Sequence, residues 1–446
     1  MRIKITSVLL MAILFSTIVR AQSDIASIKK VVYNDYRGMF HQPSKVLPYP
    51  FVTPGSVYSN DLWDWDSWLS HIALAQIVED QGVEADRKAV FEHGIGCIKN
   101  FLQYTTPEGY MPIVIWSDKD PLGKNLPDIY NTNMHKPVIA QHAAFITQLQ
   151  KGDASWLTKD FDKLKRFMMF YRKTSFHNAT GLYFWLDDLA VGVDNDPSVF
   201  YRPHKSSGNI FLNCLMYKEL MAMAYLAKQL KFTTDEKLFA GFAADLKKSI
   251  QENCWDEKDG VYYSVDINLL PVTDTLMNFS GLQIALHKNH PRNYHSLIQR
   301  FGGWSGFMAL WAGVATPSQA RRIVTAYSNK ESFNAAFGVR TLSKQEKMYS
   351  LYAGGNPSNW LGPVWGVSNY MVYSGLKNYG YTTEAKQLAL KTIRLFGADA
   401  KKNQAFHEYY NPDTGQPIIN KGFQNWNYLV MNMIAWVEHR TVIQEF

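Results

Sequence analysis

Cysteine is scarce in this chain: three in 446 residues, Cys97, Cys214 and Cys254. So odd and scattered a set excludes a disulfide framework and matches no metal-ligand spacing, so packed thiols are expected. Long apolar runs are missing beyond the N-terminus, where no segment approaches the roughly 20 uninterrupted apolar residues of a membrane helix. No Pro/Ser-rich linker or low-complexity stretch interrupts the chain, which favours one continuous domain. Charge is not concentrated either. The formal net charge is +7 without basic clusters, so neither nucleic acid nor an anionic membrane surface is an expected partner. Zinc-type ligand clusters and EF-hand loops are absent, and no metal or cofactor is required.

What is present begins with "MRIKITSVLLMAILFSTIVRAQSD". Arg2 and Lys4 precede an apolar run from Val8 to Val19, and Val19-Arg20-Ala21 is a small-residue exit. This is the pattern of a secretory signal peptide over residues 1–21, cut after Ala21, and it predicts a secreted or periplasmic protein. No cysteine follows that could carry a lipid anchor. Losing Arg2, Lys4 and Arg20 takes the formal charge from +7 to +4. Residues 22–446 are expected to form one domain, and 46% hydrophobic residues suffice for a large core. Aromatics reach 14%, with 13 tryptophans, more than packing normally demands. Sugar sites and protein interfaces both use such rings.

Helical patterns recur along the chain. In "ASWLTKDFDKLKRFMMFYRK", Leu157, Phe161, Leu164, Met168 and Tyr171 make one apolar stripe. "FTTDEKLFAGFAADLKKSI" opens with Thr233 and Glu236 in a capping-box arrangement and continues Leu238, Phe242, Leu246, Ile250. "ATPSQARRIV" offers Thr316 as N-cap and Pro317 at the first helical position. Residues 209–230 and 426–437 are apolar on nearly all faces, so other helices must surround them. Amphipathic and wholly apolar helices together imply two concentric layers: an all-α toroid of about twelve helices. Short strand signals at 181–188 and 259–267 follow Gly turns and read as hairpin arms in loops.

Four stretches could carry chemistry. "LAVGVDNDPSVFYRP" sets Asp194 and Asp196 around Asn195, an arrangement also expected of an Asx-rich turn. "FHEYYNPDTGQP" places Glu408 between His407 and the pair Tyr409-Tyr410, before a strong turn signal. "YSNDLWDWDSWLSHIAL" crowds Trp63, Trp65 and Trp68 with Asp61, Asp64 and Asp66 at the head of a helix. Capping by Asp61 would explain one acid, and burying the others unpaired is costly. "GGNPSNWLGPVWGVSNYMV" brings Trp360 and Trp365 beside a Gly-Pro break. A pocket combining indole rings with two carboxylates suits glycoside hydrolysis, one carboxyl donating a proton and the other activating water or attacking the anomeric carbon. His135 and Lys136 read as a surface pair at a helix start.

Through the "WDWDSW" block, the "GVDNDP" loop, the "GPVW" segment and "HEYYNPDTG", in that order over residues 50–440, the chain resembles glycoside hydrolase family 63 and its trehalase-like relatives. The resemblance implies an (α/α)6 barrel and an inverting α-glycosidase releasing a terminal sugar, glucose in first place, from a short oligosaccharide or glycoside. It also implies Asp194 as general acid and Glu408 as general base, with Trp63, Trp65, Asp66, Asn195, Trp360, Trp365 and Tyr409 around the sugar. A monomer is expected. Inversion requires carboxyls roughly 6.5–9.5 Å apart. The chain departs from the family's pattern at Leu361, at Lys136-Pro137 and at Ser198, changes that bear on substrate rather than reaction. Competing readings are a non-catalytic carbohydrate-binding protein of an uptake system, which would need the rings but not the carboxylates, and trehalose or unsaturated-uronide hydrolysis. Uronide recognition should bring Arg or Lys into the aromatic blocks, which contain none. The sequons at Asn178 and Asn278 matter only in a host that glycosylates exported proteins.

Overall fold

The computed structural model describes residues 21–122, 133–269 and 293–446, together with the backbone of the strand pair Met277–Phe279 and Leu282–Ile284. The leader expected over residues 1–21 lies outside the described residues except for Ala21, and so does the side chain of Asn278; Asn178 is exposed. The chain enters through α1, which reaches residue 35. Then follow α2 (Asp64–Gln81), α3 (Glu84–Gln103), α4 (Ile139–Leu149), α5 (Phe161–Thr174), α6 (Ile210–Gln229) and α7 (Thr233–Cys254). The second half carries α8 (Met308–Trp311), α9 (Pro317–Ser328), α10 (Gly366–Asn378), α11 (Thr382–Asn403) and α12 (Val430–Val437).

Two kinds of helix alternate. α2 is buried without a break from Asp64 to Val78, α4 from Ile139 to Thr147 and α10 from Gly366 to Leu376. α6 is buried over most of its length; it is long and apolar enough to cross a membrane by composition, yet lies inside the protein. Their partners α3, α5, α7, α9 and α11 each keep one face in water, which is the layering of an α/α toroid. The buried apolar side chains form one continuous cluster from Ile25 to Ile434. All three cysteines are buried free thiols within it.

Local expectations hold in part. Thr316 caps α9 in a capping box, its Oγ1 accepting from Gln319 N at 3.3 Å, with Pro317 at the first position. The box expected from Thr233 and Glu236 does not form: α7 starts at Thr233 itself, after Phe232, with no side-chain cap. Its buried stripe is Phe239, Ala243, Leu246 and Ile250, so Leu238 and Phe242 fall at the edge. A strict step of four overshoots each turn by about 40°, so such a row drifts off any one face. Asp61 caps nothing; its Oδ1 accepts from Ser117 N at 3.3 Å, and α2 begins three residues later. The hairpin arms appear as Phe176–His177 with Leu182–Tyr183 and Trp255–Asp256 with Val261–Tyr262. Two further ribbons join distant loops: Leu62–Trp63 with Val114–Ile115, and Val364–Trp365 with Tyr409–Tyr410.

The C-terminal tail closes the other end of the toroid. It contacts α2 near its C-terminal end and α10 at Tyr370 and Ser374: Ile443 N donates to Gln76 Oε1 at 2.8 Å. Glu445 accepts from Trp311 Nε1 at 3.0 Å, from Ser374 Oγ at 2.8 Å and from the Tyr370 hydroxyl. Deleting that carboxylate leaves three donors without an acceptor. Glu445→Ala is therefore expected to cost about 2 kcal/mol, read as a lowered Tm by differential scanning calorimetry, while binding at the opposite end is unchanged.

Candidate active site

The starts of the inner helices converge on one cavity of about 290 Å3. α2 brings Trp65 and Asp66 to it, the ribbon before α10 brings Trp365, and the turn before α12 brings Trp426. Loops supply the rest of the chemistry: Tyr58 and Trp63, Lys136, Asp194 in the 187–199 loop, Asn356 to Trp360, and Glu408. The two carboxylates singled out in the sequence, one mid-chain and one near the C-terminus, thus line the same space.

Glu408 is 4% exposed. It sits immediately before the strand Tyr409–Tyr410, whose register (Trp365 opposite Tyr409, Val364 opposite Tyr410) locks it beside the Trp365 wall. Its Oε2 accepts from Asn420 Nδ2 at 2.5 Å, and the Tyr58 hydroxyl lies 3.4 and 3.5 Å from its two oxygens. Burial pushes its pKa up to about 7; those two donors pull it down, and the charge of Asp194 adds a further rise.

Asp194 is part-buried, and its Oδ2 accepts from Asn356 Nδ2 at 3.0 Å. Burial raises its pKa, while hydrogen bonds from Asn356 and Ser358 and the charge of Lys136 oppose the rise. The Asx-turn reading fits its neighbour instead: Asp196 accepts from Ser198 N at 2.8 Å and ties Asn209 to the loop at 3.3 Å. Asp188, not singled out in the sequence, accepts from Asn195 N at 3.0 Å, and burial lifts its pKa to about 7.

The floor holds an ion pair that the sequence reading misplaced. His135 and Lys136, expected at the surface, are 1% and 2% exposed. His135 packs edge-on against Phe101. Lys136 Nζ lies 3.2 Å from both oxygens of Asp64, which also accept from Lys136 N at 2.8 Å and Trp65 N at 2.7 Å. A charged pair at a helix start is stable inside when each charge finds the other and the carboxylate's remaining lone pairs find backbone donors. Next to it, Asp66 accepts from Asn425 Nδ2 at 2.5 Å; burial, then the charge of Asp64, push its pKa up to about 8.

Indole rings make the walls. Trp304, Trp360, Trp365 and Tyr409 form a continuous stack with centroid separations of 6.0, 4.0 and 4.8 Å, and Trp426 packs on both Trp65 and Trp365. Among the described residues the indole N–H groups of Trp63, Trp360 and Trp426 have no hydrogen-bond partner, as is also true of Trp68, Trp156, Trp185 and Trp304 elsewhere, whereas Trp365 Nε1 donates to Asn359 O at 2.9 Å.

Of the sequence-derived residues, Trp63, Trp65, Asp66, Asp194, Trp360, Trp365 and Glu408 line the cavity. Asn195 and Tyr409 stand behind it. Asn195, at φ 57°, donates to Ser358 O at 3.3 Å and accepts from Trp360 N at 3.1 Å, stapling two loops together. Tyr409 backs the ring stack and donates to Pro357 O at 2.7 Å. Ser198 is buried and accepts from Asn209 Nδ2 at 2.9 Å. Sequence reasoning missed Tyr58, Asn356, Asn420 and Trp426, and had Lys136 only as a departure from the family's pattern that it placed at the surface. Tyr58 opens the tryptophan-rich block and was within reach of the argument; Asn420 carries no local signal. Among the described residues, no group of three or more His, Cys, Asp or Glu could hold a metal ion.

Comparison with known proteins bears on this geometry. The profile of the mannosylglycerate hydrolase MGH1-like glycoside hydrolase domain matches residues 58–427. Mannosylglycerate hydrolase MGH1 of Selaginella moellendorffii is 22% identical over 94% of this chain and 86% of that protein. A probable mannosyl-oligosaccharide glucosidase of Schizosaccharomyces pombe is 22% identical over 67% of this chain, which spans only 34% of that longer protein. In structure, the chain is similar to a family 63 mannosylglycerate hydrolase from Thermus thermophilus (TM-score 0.61, 18% identity, 85% of this chain and 95% of that one). It is also similar to neutral trehalase from Saccharomyces cerevisiae (TM-score 0.59, 15% identity, 88% and 74%). The helical toroid is accordingly an (α/α)6 barrel, and the chain belongs to the mannosylglycerate hydrolase MGH1-like members of glycoside hydrolase family 63.

Proposed function

We propose that this protein is an exported, inverting α-glycosidase that removes one terminal α-linked sugar from a short oligosaccharide or glycoside. The observation that carries the reading is that Asp194 and Glu408 line one indole-walled cavity, near enough for the charge of Asp194 to act on Glu408. The cavity volume, about 290 Å3, is at the low end of ligand pockets (roughly 300–1,000 Å3), which favours a single ring over a polymer segment. Asp194 serves as general acid, protonating the leaving oxygen. Glu408, flanked by Asn420 and Tyr58, serves as general base and takes a proton from the attacking water. Export rests on the N-terminal leader pattern.

The substrate sugar is glucose or mannose, the two that the relatives' names point to. A panel of α-linked glucosides and mannosylglycerate, followed by proton NMR of the first-formed anomer, tests this directly. The expected product is the β-anomer; an α-anomer would end the inverting assignment. Asp194→Asn and Glu408→Gln are each expected to lower kcat by at least ~10³-fold, the scale of lost acid–base catalysis. Substantial turnover by either variant refutes the role given to that residue. Burial raises the pKa of Glu408 above the usual carboxylate value, so its ionised form destabilises the fold as pH rises from the ordinary value through about 7. Glu408→Gln should therefore keep or raise Tm at pH 8, separating lost chemistry from lost structure.

The raised pKa of Glu408 also favours a second reading, in which Glu408 donates the proton and Asp194 is the base. The two differ in sign. As a base, Glu408 must be ionised, so kcat/KM falls as pH drops through about 7; as an acid, it must be protonated, so kcat/KM falls as pH rises through the same region. The pH–rate profile is expected to show the first.

A further inference from the structure

The aromatic motifs contain no cation, yet the folded cavity has one. Lys136 lines it from a segment outside those motifs. An ammonium carries three donors and no acceptor. Among the described residues, Asp64 is the only group that accepts from Nζ, at 3.2 Å from each oxygen. At least one N–H is left over. The ammonium is set 5.5 Å over the ring of Trp65, and its charge is felt by both Asp66 and Asp194. Gly192, at φ 68° and also lining the cavity, packs directly against it: a Cβ there would stand 2.6 Å from Lys136 Cε and 2.9 Å from Nζ. Glycine thus leaves room for the buried lysine chain at the cavity, where any other residue would collide with it.

We infer that Lys136 is a specificity-determining residue whose spare N–H donates to a ring hydroxyl of the sugar entering the cavity. The inference rests on the glycosidase reading and names what the site recognises. Asp66 complements it. One Asp66 oxygen is taken by Asn425, and the other has no side-chain partner among the described residues. A hydroxyl both accepts and donates, so one hydroxyl can satisfy Lys136 and Asp66 together. An anionic substituent fits less well, because Asp64 already matches the lysine charge and Asp66, Asp194 and Glu408 add three more acids to the same space. Lys136 is therefore a donor for a neutral sugar and not a receptor for a sugar acid.

The test compares wild type, Lys136→Met and Lys136→Gln on an activated α-glycoside, on its analogues lacking one ring hydroxyl each, and on the corresponding α-uronide. Removing a hydrogen bond from a charged donor costs ~10- to 100-fold in kcat/KM. Lys136→Met should lose that factor on the parent substrate. One deoxy analogue should lose it in wild type and lose nothing further in the Met variant, and Lys136→Gln should recover part. Binding of the free deoxy sugars, read by quenching of tryptophan fluorescence, reports the same coupling even if no bond is cut, so failure of the glycosidase reading is seen separately. Should Asp64, left unpaired, unfold the Met variant, Asp64→Asn combined with Lys136→Met restores neutrality. Equal losses across all analogues, or a uronide preferred to the neutral sugar, would overturn the inference.

Discussion

Two rungs of antiparallel ribbon carry the site. Val364 and Trp365 pair with Tyr410 and Tyr409, so a segment before α10 and one after α11 meet at a fixed register. Strand residues alternate faces, and a slip of one residue would turn Tyr409 away from Trp365 and swing Glu408 out of the cavity. The ring stack running from Trp304 through Trp360 and Trp365 to Tyr409 resists that slip, because the register that stacks the rings is the one that aims the glutamate. Asn195 then ties the Asp194 loop to the same wall through Ser358 and Trp360. The position of each carboxylate is thereby referred to one aromatic layer.

Desolvation is the second constraint. Asp66, Asp194 and Glu408 all have raised pKa values, and for each the largest cause is burial. Burying acids costs stability, and the fold bears that cost at this cavity and also at Glu219, Asp188 and Asp196, while pairs such as Lys88–Glu92 and Lys248–Glu252 stay at the surface. Lys136 offsets part of the cost at Asp194, while at Asp66 its charge is outweighed by that of Asp64. The desolvation of the Asp64–Lys136 pair is met by two backbone N–H groups that complete the Asp64 carboxylate. At the far end the C-terminal tail is held by Gln76, through Ile443, and by Ser374, through Glu445.

Much of the architecture was legible in the residues. The two stretches without a polar face, 209–230 and 426–437, became α6 and α12 with the turn leading into it, and the cap at Thr316 formed as expected. The capping box at Thr233 failed, because a three-residue spacing is a local pattern that the chain entering from Phe232 overrides. The tryptophan-rich block, the Asp194 loop and Glu408 were visible as dense clusters of costly residues. The burial of Lys136 was not: Lys136-Pro137 stood out only as a departure from the family's pattern, and Lys136 read as a surface pair with His135, because its burial depends on Asp64, 72 residues earlier, and on the missing side chain of Gly192.

The sequence by itself determined the layering of the toroid, the helix starts as the functional end and the residue types available for acid–base chemistry, because each follows from periodicity, composition or the cost of burying a charge locally. Only the tertiary structure decided which acid faces the cavity and which one ties a turn, as between Asp194 and Asp196, and which rings line the wall or brace it, as between Trp365 and Tyr409. It alone placed a cation in the floor. Those outcomes depend on contacts between segments far apart in the chain, and no local spacing encodes the distance between them.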